Sequence, residues 1–168
     1  MVMKTPVLLL LGVCILGTSK GMNPCISASG SGWDRYNGHW YYYSNQTLNW
    51  MGAQMYCRRQ GGNLVHIDDA QENDWLSSKY TEESIWIGVD SQANDGVWRS
   101  VTTGEKAPYI NWSTGNPDNA EAKQHCGSLN WPGKGDWDDN NCSKKFPFIC
   151  EVVGYRDDPQ SCSNICAK

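Results

Sequence analysis

The sequence predicts an α+β domain with two early helices, short antiparallel strands and long polar loops. Apolar residues spaced three and four apart are confined to the first half of the chain, before Ile85. Beyond Asp90 that periodicity disappears, and Gly, Pro, Asn and Asp punctuate short apolar runs. Nine Trp, eight Tyr and 17 Gly stand against two Phe, so the aliphatic core is modest and cross-links are expected to support it.

Residues 7–16 form an apolar run after Lys4, too short to cross a bilayer and matching a secretory signal core. Gly17 and Ser19 fit cleavage before Lys20, making residues 1–19 the expected signal peptide; cleavage after Gly21 fits nearly as well. The competing reading is an N-terminal anchor, and no other apolar stretch is long enough to span a membrane. The expected product is secreted and extracellular, without membrane insertion. Its length of about 147–149 residues suits one domain.

Residues 20–32 read as a short flexible lead-in, 33–152 as the domain, and 153–168 as a polar, turn-rich tail. The aromatic run 33–43 predicts one or two strands. Trp50, Ala53 and Cys57 place a helix at 47–60, ended by Gly61-Gly62, and a short strand is expected at 63–67. Asp69 with Glu72 three residues later resembles a capping box for a second helix reaching about Lys79. Residues 85–90 read as a buried strand, and Asn94-Asp95-Gly96 as a turn before Trp98. Residues 113–124 are polar, carry Gly and Pro and lack periodicity, which predicts a long loop of the kind that carries function. Residues 126–130 and 146–151 read as strands flanking a second polar loop.

The net charge of −4 gives no basis for binding nucleic acid or an anionic membrane surface. Cys14 leaves with the signal, and the odd number of cysteines remaining in an oxidising compartment implies one free or intermolecular thiol. Asp136-x-Asp138-x-Asn140 begins like an EF-hand but has Asn141 where Gly and Pro147 where Glu are required. His39, His66 and His125 lack metal-ligand spacing, and no G-x-S-x-G occurs, so no enzyme is expected. His66 is expected to be structural and His125 to border the site.

Together, Trp50-x-x-Ala53-x-x-x-Cys57, Gly61-Gly62-x-Leu64, Trp86-Ile87-Gly88-Val89, Trp137-Asp138-Asp139-x-x-Cys142 and Phe148-Ile149-Cys150-Glu151 resemble the C-type lectin domain. The resemblance spans residues 33–151 and implies disulfides Cys57–Cys150 and Cys126–Cys142. It also implies a Ca2+ cofactor held by Asn116, Asp118, Gln124, Asp138 and Asp139, with Pro117 cis. A sugar would meet Asn116, Asp118, Gln124 and Asp138, with the Trp131 ring stacking on its apolar face or packing under the loop. A second calcium site needs more carboxylates than Asp90 and Asp95 supply, and is not predicted.

Members that bind mannose-like sugars typically carry Glu-Pro-Asn, and galactose-type members Gln-Pro-Asp. Asn116-Pro117-Asp118 resembles the second. Gln124 and Asp138, however, stand where the family usually has glutamate and asparagine, so acid and amide are exchanged in both pairs. Each pair keeps one of each, as a calcium-bound hydroxyl requires, since it accepts from an amide and donates to a carboxylate. The motif favours galactose or GalNAc, helped by Trp131; the double exchange favours a mannose-like sugar.

Glycan partners on cell or microbial surfaces are therefore expected, in a role such as innate immune recognition or adhesion. The alternative is a non-sugar protein of the same fold that binds a mineral surface or a protein. A disulfide-linked homodimer through one of Cys25, Cys162 and Cys166 is expected, with one of Cys162 and Cys166 closing back to Cys25 and the other joining a second chain. Of the sequons at Asn45, Asn111 and Asn141, Asn45 is the expected glycan carrier, in a polar turn before the first helix.

Overall fold

The computed structural model of the protein describes residues 32–93 and 96–153. The signal peptide, Cys25, Cys162, Cys166 and Asn94-Asp95 lie outside the described residues. The aromatic run forms a hairpin of β1 (Trp33–Tyr36) and β2 (His39–Leu48), with Trp33 opposite Tyr42 and Tyr36 opposite His39. Asn37 and Gly38 join them with φ of 45° and 84°, the two left-handed residues a tight hairpin turn requires. β2 runs on to Leu48, past the expected helix start at 47. α1 (Trp50–Arg59) begins only after Asn49, whose Oδ1 accepts the Gly52 N–H at 2.8 Å. Asn45 thus stands exposed on a strand rather than in a turn.

α1 buries Trp50, Ala53, Gln54 and Cys57. It ends in a Schellman arrangement: Gly62 N–H donates to Cys57 O (3.0 Å) and Gly61 N–H to Arg58 O (3.1 Å), with Gly61 at φ 86°. Gly62 has a second reason to be glycine, because a Cβ there would lie 2.0 Å from the Glu151 carbonyl oxygen. The close approach lets β3 (Asn63–Leu64) pair with the last strand, and Gln54 secures it by accepting the Leu64 N–H at 2.8 Å. β3 is shorter than the expected 63–67, since Val65 already divides its bonds between Ile149 O and Gly88 N–H.

α2 (Ala70–Lys79) is capped by Asp69, whose carboxylate accepts the Glu72 N–H at 2.8 Å. Glu72 does not complete a capping box. Its side chain is buried, accepting instead the Asp68 N–H (2.8 Å) and the Tyr41 hydroxyl (2.6 Å).

The remaining strands are β4 (Ile85–Asp90), β5 (Arg99–Ser100), β6 (Cys126–Leu129), β7 (Trp137–Asn140) and β8 (Phe146–Val152). The sheet runs β1-β2-β8-β4-β6-β7, with β3 on β8 and β5 on β4. It is mixed rather than wholly antiparallel, because β8 returns between β2 and β4 and meets β4 in parallel at Trp86 and Phe148. β7 replaces part of the expected second loop; its polar residues give no strand pattern, and pairing with β6 makes it one.

Three fully or nearly buried indoles each have a partner for their N–H: Trp50 on Ile87 O, Trp86 on Leu48 O and Trp137 on Asn73 Oδ1, at 2.9, 2.9 and 2.7 Å. Trp50 and Trp86 pack with the disulfides Cys57–Cys150 and Cys126–Cys142, the two pairs the resemblance implies, while Trp137 belongs to the neighbouring cluster with Leu76, Ile87 and Leu129.

Candidate functional site

The site grows from Trp137. Its buried ring is held to α2 through Asn73, and its backbone holds the incoming loop: Trp137 N–H donates to Asn111 O and Ser113 N–H to Trp137 O, both at 2.9 Å. The chain then turns, with Asn116 N–H on Ser113 O and a cis Asn116–Pro117 bond. That turn presents Asn116 to β7, where its Nδ2 donates to Asp138 Oδ1 at 2.6 Å and to Ser113 Oγ at 2.9 Å.

Asp139 faces inward beneath the same loop and is fully buried. Its carboxylate accepts the N–H groups of Asp118 (3.0 Å) and Asn119 (2.7 Å). Just beyond, Asp118 Oδ1 and Gln124 Oε1 both accept the Ala120 N–H, at 3.0 and 2.8 Å. The loop also contains the 3-10 turn Ala120–Ala122, where Asn119, Glu121 and Ala122 take left-handed φ. Asn116 is thus brought against Asp138, and Asp118 beside Gln124, each grouping holding one acid and one amide. Trp131 stands outside this set. It lies in the bend past the end of β6, after Asn130 at φ 69°, and is 43% exposed. Its indole is not packed under the loop.

Burial pushes the Asp138 carboxyl up from its usual range; the Asn140 hydrogen bond opposes this and the Asp139 charge adds to it. Asn140, which the sequence offers only as part of the rejected EF-hand-like run, supports Asp138. It stands two residues past Asp138, on the same face of β7, and its Nδ2 donates to Asp138 Oδ2 at 2.7 Å and to Ser128 Oγ at 3.0 Å. Reading 137–140 as a strand would have revealed that pairing. His125 borders the site, donating its N–H to Asn140 O while its ring meets Ser91 Oγ. The Asn111 amide is engaged on Gly135 O at 2.8 Å, so this sequon nitrogen already has a structural role.

The donors assembled here are carboxylate and amide oxygens, the set that suits a hard divalent cation. Asp138 and Asp139 offer their carboxylates from β7, and Asp118 offers its own from the loop whose N–H the Asp139 carboxylate accepts. Asp139 keeps lone pairs beyond the two it uses on backbone N–H groups. The residues present therefore fit calcium.

A second cluster lies between α2, β2 and β8. His39 Nδ1 is 2.6 Å from Glu151 Oε1, Glu151 Oε2 accepts the His66 N–H at 2.9 Å, and ligating atoms of His39, Glu72 and Glu151 lie within 4.8 Å of one another. His66 is buried, as expected of a structural residue, with Nε2 3.2 Å from Asp68 Oδ1. Burial pushes Glu72 up to about 7, against the pull of the Asp68 and Tyr41 hydrogen bonds, while its bond to Glu151 raises His39. Both groups hold protons more tightly folded than unfolded. Their stabilisation is complete below the unfolded values, near 4.5 and 6.5, and is lost as pH rises through about 7 and beyond. In EDTA, thermal melts at pH 5 and pH 8 are expected to differ by about 1–3 kcal/mol in favour of pH 5. Glu72→Gln should remove most of that difference; an unchanged slope would place its origin elsewhere.

Residues 46–152 match the family described as the Lectin C-type domain. The chain is 32% identical over 133 residues to Lectin BRA-3 of Megabalanus rosa, covering 76% of this chain and 80% of that one. Among solved structures it resembles the mouse scavenger receptor C-type lectin carbohydrate-recognition domain, with TM-score 0.69, 27% identity, and 73% of this chain and 96% of that chain covered. It shares only the fold with a calcium-independent type II antifreeze protein, at TM-score 0.68 and 23% identity, covering 74% of this chain and 94% of that one. The chain belongs to the C-type lectin domain family, which is non-enzymatic. Calcium binding is typical of that family but not universal, so the site residues must decide what this member does.

Proposed function

We propose that this chain is a secreted, calcium-dependent lectin that recognises terminal monosaccharides of glycans on cell or microbial surfaces. The observation that carries the reading is the contact of the Asn116 amide with the Asp138 carboxylate, within an oxygen-only set completed by Asp118, Gln124 and Asp139. A hydroxyl needs one donor and one acceptor, and either alone would leave a desolvated partner unsatisfied.

Asn116, Asp118, Gln124, Asp138 and Asp139 would hold the metal. The chemistry calcium supplies is a hard, oxygen-seeking cation that takes sugar hydroxyl oxygens as ligands. The residues' own work is recognition. Asn116 and Gln124 donate to hydroxyl oxygens, Asp118 and Asp138 accept hydroxyl protons, and Asp139 holds the loop. Galactose or GalNAc is slightly favoured by Asn116-Pro117-Asp118 and by the exposed Trp131 ring.

A glycan array read with and without EDTA tests this. Galactose-terminated probes should bind in calcium and lose nearly all signal in chelator. Equal binding in both would overturn the calcium requirement. Adsorption to carbonate crystals without binding any glycan would support the mineral-binding alternative.

The rest of the assignment is residues 1–19 as signal peptide, 20–32 as lead-in, 33–152 as the lectin domain, and 153–168 as a tail able to join two chains. Such pairing would suit a lectin, because linked sites raise weak single-site affinity. Exposed Asn45 is the proposed glycan carrier.

A further inference from the structure

Asp138 would meet the sugar from β7, and each of its carboxylate oxygens has its own amide donor. Asn116 Nδ2 donates to Oδ1 at 2.6 Å from the loop, and Asn140 Nδ2 donates to Oδ2 at 2.7 Å from within the strand. The two donors differ in kind. Asn116 is half-buried, whereas Asn140 is 2% exposed and its amide is fixed at three points. Besides Asp138, its Nδ2 donates to Ser128 Oγ at 3.0 Å on the neighbouring β6, and its Oδ1 accepts from Lys144 Nζ at 2.6 Å. The second acid–amide grouping rests on the loop instead. Asp118 is exposed, and its side chain shares with Gln124 the N–H of Ala120, an exposed residue of the 3-10 turn.

The terminal torsion of an aspartate is broad and nearly two-fold, so an untied carboxylate turns its plane at little cost. We propose that Asn140 is a positioning residue that sets sugar specificity. By tying Oδ2, it fixes the Asp138 plane so that Oδ1 accepts a hydroxyl proton from one direction only, and axial and equatorial hydroxyls are told apart. The inference rests on the lectin reading above and deepens it. It assigns the discrimination between galactose-type and mannose-type glycans to a residue that touches neither metal nor sugar. Ring hydroxyls leave a pyranose in directions set by its configuration, and hydrogen bonds weaken steeply once bent. A fixed acceptor therefore fits one configuration and leaves the other's proton badly aimed, whereas a swinging one follows both. Specificity is a difference of affinities, so the buried amide acts chiefly by refusing the wrong sugar.

The test is calorimetric titration of the full chain with methyl galactoside and methyl mannoside, at calcium concentrations that saturate each variant. Saturation matters because loosening a ligating carboxylate is expected to lower calcium affinity by about tenfold or more. Wild type should separate the two sugars by about tenfold. N140L, which keeps the branching of asparagine but has no donor, should cut that ratio to about threefold or less, the disfavoured sugar losing less affinity than the favoured one. S128A removes one tie of the Asn140 amide and should give a smaller shift in the same direction. N140Q keeps a donor and should recover part of the ratio.

A wild-type ratio near one overturns the proposal, since no discrimination is then left for Asn140 to set, and the lectin reading stands. A ratio unchanged in N140L and S128A also overturns it: both sugars weakened by the same factor would show Asn140 to be structural support alone. If thermal melts show N140L unfolded, the S128A ratio decides, an unchanged value overturning the proposal. Failure of wild type to bind either sugar defeats the lectin reading itself, and this inference with it.

Discussion

Replacing Asp139 with alanine is expected to abolish calcium binding, with a loss of about 100-fold or more, and sugar binding with it. Two effects act together. The site loses one of three carboxylates, and the fully buried side chain no longer accepts the N–H groups of Asp118 and Asn119. Those donors belong to the turn that presents Asp118, so a second ligand is displaced as the first disappears. Unsatisfied donors cost about 1–3 kcal/mol, leaving the core intact because Asp139 lies at the sheet's last strand. Asp139→Asn separates the effects: it removes the charge but keeps an acceptor for one backbone N–H. Calorimetry should show calcium binding lost in both variants, with circular dichroism unchanged. Sugar affinity retained in Asp139→Ala would count against this site.

Removing the Cys57–Cys150 bridge by the double change to alanine is expected to cost about 4–5 kcal/mol. The residues are 93 apart, so the bridge restricts a long stretch of the unfolded chain. Both cysteines are fully buried where α1 meets β8, and alanine leaves unfilled volume there as well. Against a typical domain stability of about 5–15 kcal/mol, the loss approaches unfolding at elevated temperature. Removing Cys126–Cys142, with a separation of 16, should cost about 3 kcal/mol. The shorter bridge brackets β7, so its removal should also weaken calcium binding, which the longer one should not. Urea unfolding and calcium titration of both double variants provide the comparison; equal stability losses would refute the loop-length argument.

The helices were legible because each buries one face and so imposes a period on its apolar residues, whereas β4 and the middle of β8 are buried on both faces and read as short apolar runs. The helix caps Asn49 and Asp69 and the Gly61-Gly62 stop are equally local, each acting within five residues of its place in the chain. β7 was illegible for the opposite reason. Trp137–Asn140 has no apolar alternation, and only β6, approached through the intervening turn, makes it a strand. The contact of Asn140 with Asp138 was missed with it, because nothing in a list of polar residues says which two share a face. Glu72 shows a different failure. Its spacing from Asp69 suggested a capping box, but burial against Tyr41 and Asp68 captured the side chain.

By itself the sequence determined the fold class and the family resemblance, and it supplied the oxygen-donor residues proposed for the site, since these depend on residue type and spacing. The tertiary structure alone decided how those residues group: Asn116 with Asp138, Asp118 beside Gln124, and Asp139 buried as the brace for the 113–124 loop. The physical reason is that ligand identity is written along the chain, whereas the pairing of acid with amide depends on two distant loops meeting over Trp137. Burial of its indole, held by Asn73 on a separate helix, sets that meeting.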